Sequence, residues 1–173
     1  MKKILGIFVA VSFLVFVLPS CSFTLNGAST VGLKTIYVGY FDNNAPFVVS
    51  NLSQNFTEAL KARIRSTTNL NIIQNQQQAN AVLTGTITGY SIAPVSIQAT
   101  TGNAPPIAGA SALTITVEVK YVNNVDKKLS YEQSFSEPGN FTGDLTGSKQ
   151  DNLIATLNQA LTEDIFNKAF ASW

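Results

Sequence analysis

In the segment from Leu113 to Val122, apolar and polar residues alternate without a break as far as Tyr121. Leu113, Ile115, Val117, Val119 and Tyr121 fall on one side, and Thr114, Thr116, Glu118 and Lys120 on the other. Period two sends successive side chains to opposite faces of a strand, so the segment predicts a sheet with one covered face and one open face. Leu129 to Phe135 repeats the pattern, with Leu129, Tyr131 and Phe135 inward and Ser130, Glu132 and Ser134 outward. The linker Asn123 to Lys128 makes the two strands a hairpin.

What covers the inward face is legible on either side of this hairpin. Leu52, Phe56, Leu60 and Ile64 recur every four residues and predict a helix over 52–66, with Asn51 and Gln54 spaced as a capping box. Ile154, Leu157, Leu161, Ile165 and Ala169 form a second stripe, widened by Leu153, Ala160, Phe166 and Phe170, with Ser148 and Asp151 at its start. Strands are predicted at Thr35–Phe41, Leu70–Gln74 and Ala81–Tyr90, with a turn at Asp42–Pro46 and another at Asn75–Asn80. A strand, a helix and a strand in succession imply two parallel strands if they share one sheet. Ile92–Ala112 holds three prolines and no charge and is read as a long loop, either functional or a disordered crossover. Glu137–Gly147 reads as a shorter turn-rich loop. With 173 residues the chain is sized for one domain. The fold class is α+β: a two-layer sandwich, two helices packed on one face of a mixed four- to five-stranded sheet.

The first residues read as an address. Lys2 and Lys3 precede an apolar run from Ile4 to Leu18, which at fifteen residues is shorter than the roughly 20 that a membrane-spanning helix needs. The run ends in Leu18-Pro19-Ser20-Cys21. That is the layout of a secretory signal, and it resembles a bacterial lipobox, from which Pro19 departs. Residues 1–20 are the predicted lipoprotein signal peptide, 21–34 a lipidated tether and 35–173 a single domain. Cys21 is the lipid-attachment candidate. A lone thiol in an exported protein has no partner in its own chain. Acyl chains such as palmitate remove that liability and add about 0.8 kcal/mol of anchoring per buried CH₂. Ser22 rather than Asp follows Cys21; by resemblance to lipoprotein sorting rules this implies the outer membrane, facing the periplasm.

Composition narrows the chemistry. There is no histidine and one cysteine. Ser-His-Asp and Cys-His catalysis, His-bearing zinc sites, intrachain disulfides and iron–sulfur clusters are therefore excluded. Glu163 and Asp164 are adjacent on a helix and diverge, and only loops could bring Asp42 to Asp126 or Asp144. Gly85-x-x-x-Gly89 lies in a strand with no following lysine, so it is no phosphate loop. No catalytic residue, cofactor or metal is expected, and a formal charge of +1 gives no electrostatic reason to expect nucleic acid. Only 12% of residues are charged, against about 25% in a typical soluble domain. After cleavage the count is nine basic and ten acidic residues, so the scarcity belongs to the mature domain. Either a partner covers much of its surface, a polar barrel lumen fitting best, or the host simply makes secreted proteins of low charge.

The succession of segments then resembles a family. A lipobox is followed by Ile36-Tyr37-Val38, by Asn55-Phe56-Thr57-Glu58-Ala59-Leu60, by Asn80-Ala81-Val82-Leu83-Thr84-Gly85-Thr86-Ile87, by a second long strand and by a closing amphipathic helix. This resembles the LptE family of lipopolysaccharide-assembly lipoproteins, in the form found among Bacteroidetes-type bacteria, over essentially the whole mature chain. The resemblance implies a non-catalytic outer-membrane lipoprotein that assembles with and plugs an LptD-type barrel, with lipopolysaccharide as the transported ligand. The alternative is a lipoprotein adaptor of another envelope machine, similar to the amino-terminal domain of TolB or to the activators of peptidoglycan synthases.

Basic side chains are the natural contacts for lipopolysaccharide phosphates. Lys120, Lys127 and Lys128 form the densest basic cluster of the mature chain and are the candidate lipopolysaccharide contacts, with Arg63 and Arg65 as rivals. The competing role of turn lysines is to keep edge strands soluble, with Asp126 and Glu118 near enough in sequence to neutralise them.

Overall fold

The computed structural model describes residues 30, 32–47, 49–98 and 107–171. Cys21 and the proposed signal lie outside them. Among the described residues, six strands and two helices follow in the order β1 (Thr35–Val38), β2 (Asp42–Asn43), α1 (Leu52–Thr67), β3 (Asn71–Ile72), β4 (Ala81–Gln98), β5 (Ile107–Asn123), β6 (Tyr131–Phe141) and α2 (Gly147–Phe170). The sheet runs β3-β1-β4-β5-β6, with β2 also beside β4. The pairs involving β1 and β2 are parallel and those among β4, β5 and β6 antiparallel. This is the mixed sheet of an α+β sandwich.

The alternation in β5 partitions the faces as read: Leu113, Ile115, Val117 and Val119 are wholly buried, while Glu118 and Lys120 are exposed. The two helices supply the opposing layer through Phe56, Leu60 and Ile64 of α1 and Leu157, Leu161, Ile165 and Phe170 of α2. Burying such aliphatic and aromatic side chains stabilises by roughly 1.5–3 kcal/mol each, so these stripes are the main reason the helices dock.

Several expectations are corrected. The first strand does not run unbroken to Phe41. It stops at Val38 and pairing resumes at Asp42–Asn43, inside the expected turn. Between them the Phe41 ring turns into the core against Gly85, and the Phe41 N–H donates to Thr57 Oγ1 at 3.1 Å. The buried N–H that leaves the ladder thus keeps a partner, as a buried donor must. The strand expected over Leu70–Gln74 is reduced to Asn71–Ile72.

Neither expected helix cap forms. Asn51 precedes α1 with φ 64° and makes no side-chain cap; asparagine tolerates this left-handed region, and its carbonyl accepts the Asn55 N–H at 2.8 Å instead. α2 begins at Gly147, ahead of Ser148, after Thr146.

The largest correction concerns 92–112. Its described residues are strand and not loop: β4 continues to Gln98 and β5 begins at Ile107, while 99–106 lie outside the described residues. Register shifts at Ile87/Gly89, Pro94/Ser96 and Ser96/Ile97 absorb the irregular residues. Pro94 has no N–H to give, but among the described residues no strand pairs with β4 beyond Ile87 on its outer side, so little is lost. β6 likewise runs through Glu137 to Phe141 where a loop was expected. As the edge strand it accommodates Pro138, and Gly139 admits Leu153 and Leu157 of α2. Leu129, expected inward, is 54% exposed in a 3-10 turn over Lys127–Leu129.

Candidate interaction surfaces

Among the described residues no helix or strand packs over the middle of the sheet face turned away from the helices, around Thr84, Thr86, Thr116 and Ser136. Cross-strand register sets Thr84 beside Lys120, Thr86 beside Glu118, Thr116 beside Ser136 and Lys120 beside Glu132. The hydroxyls of Thr116 and Ser136 lie 3.0 Å apart, and Lys120 Nζ reaches Glu132 Oε2 at 3.1 Å. A shallow depression of about 260 Å³ opens there, lined by Thr84, Gly85, Thr86, Glu118, Lys120 and Glu132. Lys120 and Glu132 pair across strands, Glu118 has no ion pair among the described residues, and the remaining surface is hydroxyl and backbone. Such a face can exchange hydrogen bonds with a polar partner and offers little to an apolar one.

The hairpin tip is built around asparagine and aspartate. Asn123 Oδ1 accepts the N–H groups of Val125 and Asp126 at 2.9 and 2.8 Å, and Asp126 Oδ1 accepts the Lys128 N–H at 3.0 Å. Asn124 ties the tip to the preceding turn through the carbonyls of Ala79 and Asn80. The structure therefore separates the three candidate lysines. Lys120 belongs to the open face and is paired with Glu132, not with Glu118 or Asp126. Lys127 and Lys128 sit on the turn and have no ion pair among the described residues. Asp126 is engaged as a backbone cap. Of the rivals, Arg63 is bound to Glu163 at 3.2 Å, and Arg65 lies exposed in the last turn of α1.

A third surface takes a form that sequence reading missed, since 92–112 was expected as a loop. Beyond Phe141, which pairs with Ser111, β6 ends, and among the described residues β4 and β5 continue alone as a two-stranded arm. Residues 91–96 of β4 are exposed on both faces, including Ile92 and Val95 at 52% and 55%. Tyr40 and Phe47 are also exposed, near the start of the helical layer. The arm's residues show no sustained apolar–polar alternation, and Pro94 argues locally against a strand.

Acidic groups converge where the sequence did not foresee it. Glu137 of β6 meets Asp164 of α2, and its carboxyl is raised above the usual carboxylate range by partial burial, then by the hydrogen bond to Asp164 and its charge. Burial pushes the Tyr121 hydroxyl up to about 12. Among the described residues no group of three or more Cys, Asp or Glu side chains could hold a metal ion.

The fold recurs in solved structures, two of them of lipoproteins. The rare lipoprotein B of Shewanella oneidensis is 13% identical with a TM-score of 0.54, over 78% of this chain and 92% of its own. An uncharacterized lipoprotein B of Nitrosomonas europaea is 11% identical with a TM-score of 0.53, over 78% and 80%. A hypothetical protein of Chlamydia trachomatis is 11% identical with a TM-score of 0.51, over 79% and 93%. At these identities the likeness shows the fold alone. No curated protein matches in sequence. Among the described residues no helix is long and apolar enough to cross a membrane. The family model for lipopolysaccharide assembly, LptE, matches residues 33–169, the whole span from the residues before β1 to the last turn of α2, and the chain belongs to that envelope-associated family.

Proposed function

We propose that this protein is an outer-membrane lipoprotein, anchored through acylated Cys21 with its domain facing the periplasm, that assembles with and plugs an LptD-type barrel for lipopolysaccharide transport to the outer leaflet. The observation that carries this reading is the open sheet face. It is lined by threonine and serine, and of its few charges Lys120 and Glu132 pair with each other. A polar, water-filled barrel interior is the surface that complements it. The uncharged arm of β4 and β5 extends the same sheet and supplies a second contact. Lys127 and Lys128, without ion pairs among the described residues at an exposed tip, are the lysines best placed to meet lipopolysaccharide phosphates. Plugging a barrel and handing on a lipid require binding and no bond chemistry, which suits a chain without histidine.

Purification of the lipidated protein from detergent-solubilised outer membranes, followed by mass spectrometry, tests the reading. A large β-barrel protein is the expected companion. Recovery with only a soluble or inner-membrane protein would replace this reading with the adaptor of another envelope machine. The same preparation reports the mass of the mature amino terminus. Cleavage before Cys21 with added acyl chains is expected, and Cys21→Ala leaves an uncleaved or soluble form.

A further inference from the structure

The chain enters the domain, and both helices end, at the same end of the sheet as the turn between β5 and β6. A Cβ on Gly32 would stand 3.2 Å from a Val125 methyl, so the entering chain runs beside that turn. The Lys34 N–H donates to Asn80 Oδ1 at 3.0 Å, and the Asn80 carbonyl accepts the Asn124 N–H at 2.8 Å. α1 closes here, because Asn71 follows it closely and pairs with Thr35. α2 closes here too: the Phe170 ring packs on Tyr121, and Lys168 Nζ stands 5.8 Å from the centre of the Tyr131 ring. The arm leaves from the opposite end, roughly 55 Å away along the 18 residues of β4.

The two ends differ in charge. Lys34, Arg65, Lys127, Lys128 and Lys168 gather at the entry end, all exposed and none with an ion pair among the described residues. The one carboxylate of the turn, Asp126, accepts the Lys128 N–H. Asp144 and Asp151 stand at the arm end, where β6 gives way to α2. Val125 and Leu129 flank the turn lysines and are each 54% exposed. Apolar side chains set among exposed lysines suit a membrane interface, where the former enter the acyl boundary and the latter stay with the phosphates.

We propose that this end docks on the anionic glycerophospholipid surface of the leaflet that holds the anchor. Val125 and Leu129 enter the acyl boundary, and Lys34, Lys127 and Lys128 meet lipid phosphates. The docking rests on the reading of Cys21 as the acylated anchor. Thr30 is nine positions after Cys21, so even a fully extended chain keeps the entry end within about 30 Å of the anchored sulfur. That reach is well short of the length of β4, so the tether brings this end to the lipid and not the arm. Lipopolysaccharide offers the same phosphate chemistry, but it is destined for the other leaflet. The contact belongs to the anchored protein before a barrel takes it up, and it leaves the open sheet face and the arm free.

The test uses the mature lipidated protein in vesicles of phosphatidylethanolamine and phosphatidylglycerol. Acylation leaves no free thiol, so Leu129→Cys supplies a single site for a nitrobenzoxadiazole label, and Val95→Cys in the arm supplies the reference. At position 129 blue-shifted emission and strong quenching by nitroxide-bearing lipids are expected, and at position 95 neither. Adding Lys127→Gln and Lys128→Gln is expected to lower the docked-to-free ratio about thirtyfold, since each basic residue near an anionic surface is worth about fivefold. A label at 129 as exposed to water as the one at 95 overturns the proposal. Equal burial in phosphatidylcholine vesicles, which carry no net charge, also overturns it. Burial that requires lipopolysaccharide in the vesicle overturns it in favour of that ligand. Labelling of the wild type at Cys21 overturns the anchor and the docking together, whereas an unlabelled wild type with a water-exposed label at 129 overturns the docking alone.

Discussion

The Phe41 ring rests directly on Gly85. A Cβ at position 85 would lie under 3.0 Å from the ring and from the Glu118 carbonyl. The glycine in β4 is what lets β1 leave the ladder, insert a phenylalanine and rejoin β4 as β2. Gly85→Ala has no free space on either side, so the ring or the strand must move. Overpacking of this kind costs about 1–3 kcal/mol. Urea unfolding should show a lower midpoint with the slope unchanged, and an unaltered midpoint would mean that Phe41 yields freely.

The Glu137–Asp164 contact makes stability depend on pH. The folded-state value of Glu137 is raised above its ordinary one, so the native state binds the proton more tightly than the unfolded chain. That contribution is complete below the ordinary glutamate value and is lost as pH rises through the raised one. Glu137→Gln removes the repulsion at neutral pH. Its melting temperature should exceed that of the wild type at pH 7.5, and the advantage should vanish near pH 4. An advantage of equal size at both values would point to packing instead of charge.

The arm can be shortened without touching the core. Residues 91–96 of β4 are exposed, and the buried face of the sheet ends near Leu113. Deleting Ser96–Ala110 and closing Val95 to Ser111 with two glycines should leave the melting temperature nearly unchanged. Recovery with the barrel protein should fall sharply. An undiminished complex would reduce the arm to a simple connection.

The lysines are separable by substitution. Lys127→Gln with Lys128→Gln should lower lipopolysaccharide binding at low salt, with a smaller effect at moderate salt because screening weakens both proteins' charge contacts. Adding Lys120→Gln should add little, since Lys120 is already paired with Glu132. Its exposed pair is worth about 0–1 kcal/mol, so stability should hardly move. Binding that ignores all three changes would shift attention to Arg65, the rival on α1 that has no ion pair among the described residues.

Local pattern settled the elements whose periodicity is long and regular. The alternation at Leu113–Val122 and the four-residue spacing from Leu52 to Ile64 each repeat a single geometric rule, and burial follows them residue by residue. The absence of histidine likewise needed no structure. Tertiary context decided the rest. Whether Phe41 ends a strand or enters the core depends on Gly85 and Thr57, 44 and 16 positions away. Pro94 and Pro138 argue locally for loops, yet both stand in strands because each lies on a free edge where an N–H is not required. The lysines look like one cluster along the chain, but Glu132 opposite Lys120 exists only through strand register. A sequence states which side chains share a face; only the packed chain states what that face is set against.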